Sequence, residues 1–171
     1  MSNDTIAGSG LEKMFYGQIL SILVIIPLVG WIAAIVGIVL FLVGLHEAAG
    51  ADEGYRTAFY VEIGILVLSV LAVFIGVLNI VTSILSLVVI YLVCTTTAGL
   101  LEVKGDLGTA ARGRFAWKFY GGCTALVVVC SILSLIPLVN ILAMVVIVPA
   151  SIASVVGGIL LLIFLYRACK S

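Results

Sequence analysis

The chain has 171 residues, of which 64% are hydrophobic and only 9% charged, and its formal net charge is zero. So little charge cannot cover a soluble domain of this size, and the composition therefore indicates an integral membrane protein. A neutral chain also lacks the basic surface that nucleic acids require, so we expect no nucleic-acid partner.

The N-terminal segment of residues 1–10 is polar and rich in small side chains. It lacks the positive flank, the short apolar core and the cleavage site of a secretory signal, so we expect the first apolar run to be retained. We expect residues 1–10 to be flexible and residues 11–171 to form a single transmembrane domain.

The first apolar run, residues 14–45, would be roughly 48 Å long as one helix, whereas the hydrocarbon core of a bilayer is about 30 Å thick. It contains Ile26-Pro27-Leu28-Val29-Gly30. Pro27 removes a backbone donor, and Gly30 accepts the left-handed conformation that ends helices. We predict a turn here, between helices 11–27 and 31–48. Because the first helix is short for a full span, a re-entrant hairpin is the alternative.

Two further apolar runs divide in the same way. Residues 57–101 are interrupted at Gly76 and Asn79, which predicts helices 57–78 and 80–101. Residues 115–166 are interrupted at Pro137 and Asn140, which predicts helices 114–138 and 141–168, the last containing Pro149. Residues 50–56 and 102–118 are then the polar linkers.

These breaks predict an all-α transmembrane bundle of six helices, arranged as three hairpins over residues 11–49, 56–101 and 114–168. Other features recur with the same period. An aromatic pair opens each hairpin, and one or more cations precede it. The pairs are Phe15-Tyr16, Phe59-Tyr60 and Phe119-Tyr120, and the cations are Lys13, Arg56, Arg114 and Lys118.

The cations also predict the orientation of the bundle. The eight are Lys13, Arg56, Lys104, Arg112, Arg114, Lys118, Arg167 and Lys170, and none falls in the three short turns. An even number of spans places all of them on one side, which the positive-inside rule makes cytoplasmic, together with both termini. We expect interfacial aromatic residues at this edge, namely Tyr16, Tyr55, Tyr60, Trp117, Tyr120 and Tyr166, and Trp31 at the other.

Several segments resemble a family of small, uncharacterised membrane proteins of clostridial and related Firmicute bacteria. They are Tyr91-Leu92-Val93-Cys94-Thr95-Thr96-Thr97, Lys104-Gly105-Asp106, Arg112-Gly113-Arg114 with Trp117-Lys118, and the tail 159–167. The resemblance covers most of the chain and is strongest after residue 101. It implies a bacterial cytoplasmic membrane and no particular activity.

Glu62 is the one acidic residue well inside an apolar run. An ionised carboxylate in the bilayer interior costs about 3 kcal/mol or more, so such residues are functional candidates. The structural alternative, which we favour, is that Glu62 lies near a helix end and extends to headgroups or pairs with Arg56. Gln18 occupies the matching place in the first hairpin. If the hairpins pack around a common axis, Gln18 and Glu62 face each other across an inner vestibule.

No motif for catalysis, metal binding or cofactor binding is present, so we expect neither an enzyme nor a cofactor. The four cysteines form no CxxC pair, which favours free thiols over disulfides or a zinc site. The Thr95–Thr97 hydroxyls are expected to bond back to helix carbonyls or to face headgroups.

Small residues predict close helix packing, slightly more within one protomer than between protomers. They are Ala33, Gly37 and Gly44 in the second helix, and Ala150, Ser154, Gly157 and Gly158 in the sixth. The sequence therefore predicts a non-enzymatic, self-associating structural or membrane-organising protein, a homo-oligomer in the lipid bilayer with anionic lipid at its cytoplasmic linkers. The alternative is a small-solute or ion carrier or channel that uses the region of Gln18 and Glu62.

Overall fold

A computed structural model describes residues 3–22, 29–133 and 140–170. Over these residues the chain forms six α-helices and no β-strand, which confirms the predicted all-α class. The helices are α1 (Asn3–Ile22), α2 (Val29–Ala48), α3 (Glu53–Ala72), α4 (Leu78–Val103), α5 (Leu107–Leu133) and α6 (Asn140–Lys170).

Four helices in the described part of the chain are long and apolar enough to cross a membrane. They are Glu53–Ala72, Leu78–Val103, Leu107–Leu133 and Val145–Lys170, and Ile32–Ala48 is a shorter apolar helix. A stretch of about 20 apolar helical residues matches the hydrocarbon core, which indicates an integral membrane protein. Whether the hairpin of α1 and α2 also crosses the bilayer stays a prediction.

The helices form a closed ring. Each packs against its neighbours in sequence, and α1 also packs against α6. The Phe15 ring of α1 and the Tyr166 ring of α6 meet at this closure with their centroids 5.5 Å apart. Short connections make sequential helices antiparallel neighbours, as the predicted hairpins require.

The polar linkers lie together at one end of the ring, which we call the cationic end. Here Lys13 of α1 pairs with Glu47 of α2, and Arg114 of α5 pairs with Glu102 of α4 at 2.7 Å. Exposed ion pairs contribute only about 0–1 kcal/mol, so they add little to the stability of the ring. The α3–α4 turn, residues 73–77, lies at the opposite end, which we call the far end.

The best-buried large side chains gather towards the cationic end. They are Tyr55, Phe164, Met14, Leu45, Leu165, Val89, Thr97 and Cys94, and most belong to one continuous apolar cluster. Tyr55 was predicted to lie at the membrane interface, but it is fully buried. Its hydroxyl lies 2.6 Å from the Thr97 hydroxyl, so the polar tip is satisfied inside the core.

Two pairs of glycines hold α1 against α2. Gly10 faces Gly44, and seven residues further along α1, Gly17 faces Gly37. A Cβ added at Gly17 would lie 2.6 Å from the Gly37 carbonyl oxygen, which is closer than real Cβ atoms approach oxygen. Since no side chain separates the backbones at these positions, the two helices pack closely.

The predicted flexible segment of residues 1–10 is helical from Asn3 onwards. Ala7 and Gly10 are buried, and the Ser9 hydroxyl donates to Glu47 of α2 at 3.0 Å. Small side chains therefore let this polar stretch pack on α2. The predicted end of the first helix, residue 27, lies outside the described residues.

The predicted linker of residues 102–118 is also much shorter than expected, because only residues 104–106 separate α4 from α5. Gly105 has a φ of 87°, the left-handed conformation that ends a helix. The Asp106 carboxylate accepts a hydrogen bond from the Thr109 backbone N–H at 3.0 Å and caps α5. The polar residues that follow are therefore helical.

The predicted turn residues lie differently from what was expected. Gly30 lies inside α2, Asn79 lies in the first turn of α4, and Asn140 is the first residue of α6. Gly76 does lie in the α3–α4 turn, but it is not left-handed, since Gly105 is the glycine with positive φ in the described residues. Pro27 and Pro137 lie outside the described residues.

Candidate functional site: a polar cavity inside the helix ring

A cavity of about 200 Å³, which we call the ring cavity, lies among five helices, α1 to α5. A groove on the outer surface would contact only adjacent helices, so lining by five members of a closed ring places this cavity inside the ring. Its lining residues are Gln18, Ile38, Phe41, Glu62, Ser86, Val89, Ile90 and Tyr120.

The structure brings Gln18 and Glu62 to this one cavity. On α1, Gln18 lies one turn beyond the fully buried Met14. On α3, Glu62 lies one turn beyond the fully buried Ala58. Residues three or four apart share a helix face, so both polar side chains continue an inward-facing row. Spacing along each helix therefore aims both at the interior of the ring.

Glu62 lies deeper than the sequence indicated. Because α3 begins at Glu53, Glu62 is the tenth of its 20 residues rather than a residue near the end. Arg56 donates to Glu53 instead of reaching Glu62. Among the described residues, no hydrogen bond or ion pair holds the Glu62 carboxylate. Glu62 is therefore neither near a helix end nor paired with Arg56, contrary to the predicted structural alternative.

Ser86 and Tyr120 complete the polar lining, and sequence reasoning missed both as site residues. Tyr120 was predicted to be an interfacial aromatic, yet the early start of α5 makes it the fourteenth of 27 helical residues. Ser86 donates its hydroxyl proton to the Thr82 carbonyl at 2.9 Å. Its oxygen therefore keeps only acceptor capacity for anything in the cavity. The feature of the sequence that could have pointed to Ser86 is that polar residues recur in its otherwise apolar helix.

The packed core lies between the ring cavity and the cationic end. Thr97 donates its hydroxyl proton to the Val93 carbonyl at 2.6 Å, so the Tyr55 hydroxyl must be the donor to Thr97. Tyr55 and Thr97 are both buried and connect α3 to α4. The predicted back-bonding of the threonines also holds for Thr95, whose hydroxyl donates to the Tyr91 carbonyl at 2.6 Å.

Several of the small residues predicted to mediate helix packing lie against helices of the same chain, whereas a Cβ added at Gly158 would meet no atom within 4 Å. Gly37 and Gly44 face α1, as described above, and Ala33 is buried on α2. Ala150 of α6 is buried too, and the Ser154 hydroxyl donates to its carbonyl at 2.9 Å.

Gly157 of α6 provides the space in which Tyr120 packs. A Cβ added at Gly157 would lie 3.0 Å from the Tyr120 Cα, tighter than most real contacts. This contact joins α5 to α6 beside the ring cavity, so a glycine on one helix fixes the place of a cavity-lining side chain on the next.

No group of three metal-ligating side chains forms among the described residues. No disulfide joins the four cysteines, which all lie in the described part of the chain; Cys94 and Cys130 are buried, and Cys123 and Cys169 are half-buried. The chemistry of the ring cavity is therefore that of one carboxylate, one amide, two hydroxyls and apolar walls.

No protein-family model, curated protein or solved structure matches the chain. The resemblance to clostridial membrane proteins stays a prediction. What the fold defines is a class, namely helical integral membrane proteins.

Proposed function

We propose that the protein carries or conducts a small polar solute or ion across a membrane, with the ring cavity as its binding site. The observation that supports this most directly is polar lining at mid-helix inside a closed helix ring. Glu62, Ser86 and Tyr120 lie in the middle parts of helices long enough to span a bilayer. Membrane carriers commonly bind their substrates near the midplane.

The orientation predicted from the sequence is part of this proposal. All eight cations belong to segments that meet at the cationic end, which would face the cytoplasm of a bacterial cell. This orientation does not depend on whether α1 and α2 cross the membrane. If both cross, the hairpin returns to the side on which it began, and if neither crosses, it stays on that side. Lys104, Arg112 and Lys118 are exposed there and would attract anionic lipid headgroups. The protein would be non-enzymatic.

Flux through proteoliposomes tests the proposal. Purified protein is reconstituted, and the entry of sodium, potassium, chloride, urea and glycerol is followed by isotope or by light scattering. Ser86→Phe fills the ring cavity and should lower the transported flux at least about tenfold, since steric filling removes the path. Ile84→Phe is the matched control, because Ile84 is exposed on the outer side of α4. No flux for any solute, or equal flux in both variants, would contradict the proposal.

A self-associating, membrane-organising protein is the second candidate, and a different set of glycines supports it. Cβ atoms added at Gly64, Gly122 and Gly158 would meet no atom within 4 Å. Open glycines on membrane helices let a second copy approach closely. The test is native mass spectrometry from membranes. A defined oligomer that Gly122→Leu dissociates would support this candidate, and a monomer would exclude it.

A further inference from the structure

Of the described residues that line the ring cavity, Glu62 alone is an ionisable acid or base at neutral pH. The other polar groups are the amide of Gln18 and the hydroxyls of Ser86 and Tyr120. The cavity is therefore negative whenever Glu62 is ionised, and no lining lysine, arginine or histidine neutralises it.

The nearby basic side chains are engaged elsewhere. Three on the cavity-lining helices pair with carboxylates at the cationic end, namely Lys13 with Glu47, Arg56 with Glu53, and Arg114 with Glu102. Lys118 is exposed, and its place two residues before Tyr120 puts it about 200° around α5 from that side chain. When Glu62 is ionised, the charge that balances it must therefore come from a molecule or ion in the cavity.

The neutral polar groups of the cavity are suited to a cation. The Ser86 hydroxyl donates its hydrogen bond to the Thr82 carbonyl, so its oxygen offers only lone pairs to the cavity. Gln18 contributes an amide carbonyl oxygen, and oxygen atoms are the ligands that alkali and alkaline-earth cations prefer. Phe41 also lines the cavity, and the face of an aromatic ring attracts cations through its quadrupole.

The number of carboxylates limits the charge of the occupant. Protein sites for divalent cations such as Ca²⁺ usually gather several carboxylates. A single carboxylate balances a single positive charge. A cavity of about 200 Å³ also leaves room for water molecules, so a partly hydrated ion fits without complete dehydration.

We infer that the ring cavity binds a monovalent cation, with the Glu62 carboxylate as its counter-ion. The inference rests on the proposed function and gives the substrate class of the same site. The cation is an alkali ion or a small protonated amine, and the two share the charge and the need for oxygen acceptors.

Binding is tested in detergent without any transport step. The midpoint of thermal unfolding is measured in sodium, potassium, methylammonium and the bulky N-methyl-D-glucamine chlorides at constant ionic strength. When the preferred cation is present at ten times its dissociation constant, the unfolding midpoint should lie about 3 to 6 °C above the midpoint in the bulky reference salt. The rise should saturate as the cation concentration increases. The ion series separates an alkali ion from an amine.

Glu62→Gln keeps the size of the side chain and removes its charge, so it should abolish this rise while leaving the protein folded in the reference salt. The matched control is Glu12→Gln, since Glu12 is exposed on α1 and does not line the cavity. A rise that persists in Glu62→Gln, or that Glu12→Gln removes equally, overturns the inference.

The flux measurement separates this inference from the proposed function. Cation flux that falls at least about tenfold in Glu62→Gln supports both. If neutral solutes cross and Ser86→Phe blocks their flux, but no cation stabilises the protein, the cation site is overturned and the proposed solute pathway is supported. Saturable, Glu62-dependent stabilisation without flux supports the cation site and overturns the carrier. Neither flux nor stabilisation overturns both.

Discussion

Gly10 and Gly44 touch backbone to backbone across the first hairpin, so that a Cβ added to either would lie 2.5 Å from the other's carbonyl oxygen. The contact is reciprocal, and Gly17 and Gly37 repeat it further along the same two helices. Close packing of backbones is a main source of helix association in lipid, where burial of apolar surface gives little driving force. The hairpin therefore depends on positions that hold no side chain at all.

Replacing Gly44 with alanine should destabilise the protein by about 1–3 kcal/mol, because the added methyl group overpacks the interface between α1 and α2. The matched control is Gly64→Ala on α3, where the new methyl group would meet no atom within 4 Å. That change should be neutral or stabilise by up to about 1 kcal/mol through helix propensity. The measurement is reversible unfolding in mixed micelles, followed by circular dichroism. Equal effects of the two substitutions would show that α1 and α2 do not pack this closely.

A double-mutant cycle should reveal the buried hydrogen bond from Tyr55 to Thr97. Thr97→Val leaves the Tyr55 hydroxyl buried without an acceptor, at a cost of about 1–3 kcal/mol. Adding Tyr55→Phe removes that orphaned donor, so the double variant should be more stable than Thr97→Val alone. Free energies of unfolding in the same micelles supply the cycle.

Thr95→Val is the control for that cycle, since the Thr95 hydroxyl is half-buried and bonds only to carbonyls of its own helix. It should cost less than Thr97→Val. Strict additivity of Tyr55→Phe and Thr97→Val would mean that the two hydroxyls do not interact.

Cysteine labelling should place the two ends of α4 on opposite sides of the membrane. In a cysteine-free background, Ile75→Cys lies in the α3–α4 turn, where Ile75 is 56% exposed, and Lys104→Cys lies in the exposed α4–α5 connection. An impermeant maleimide should modify Ile75→Cys in intact bacterial cells, and Lys104→Cys only after permeabilisation. Labelling of both from outside would show that α4 does not span the membrane, and the reversed pattern would overturn the proposed orientation.

Much of the fold was predictable because apolar runs too long for one span must break into separate helices. The α3–α4 turn at Gly76 is the clearest example. Polar residues were less informative, since we took 102–118 as a linker although α5 starts at Leu107. The sequence did contain a capping signal at Asp106, three residues before Thr109, which identifies that start.

The site was harder to predict than the helices. On helices that are apolar on every side, hydrophobic periodicity does not distinguish the lipid-facing surface from the core, so the inward position of Tyr120 had no local signal. Glu62 was predicted to lie near a helix end because the predicted helix starts at residue 57, four residues after the start of α3 at Glu53. The closure of the ring by α1 and α6 joins segments that are far apart in sequence, and no local pattern encodes it.

That closure has a consequence for biosynthesis. Of the six helices, α1 leaves the ribosome first and packs against α6, which leaves last, so the nascent chain holds an incomplete arc until α6 has been made. The contact between the Phe15 and Tyr166 rings therefore forms only after α6 has been inserted, so closure of the ring is a late step in the assembly of the bundle.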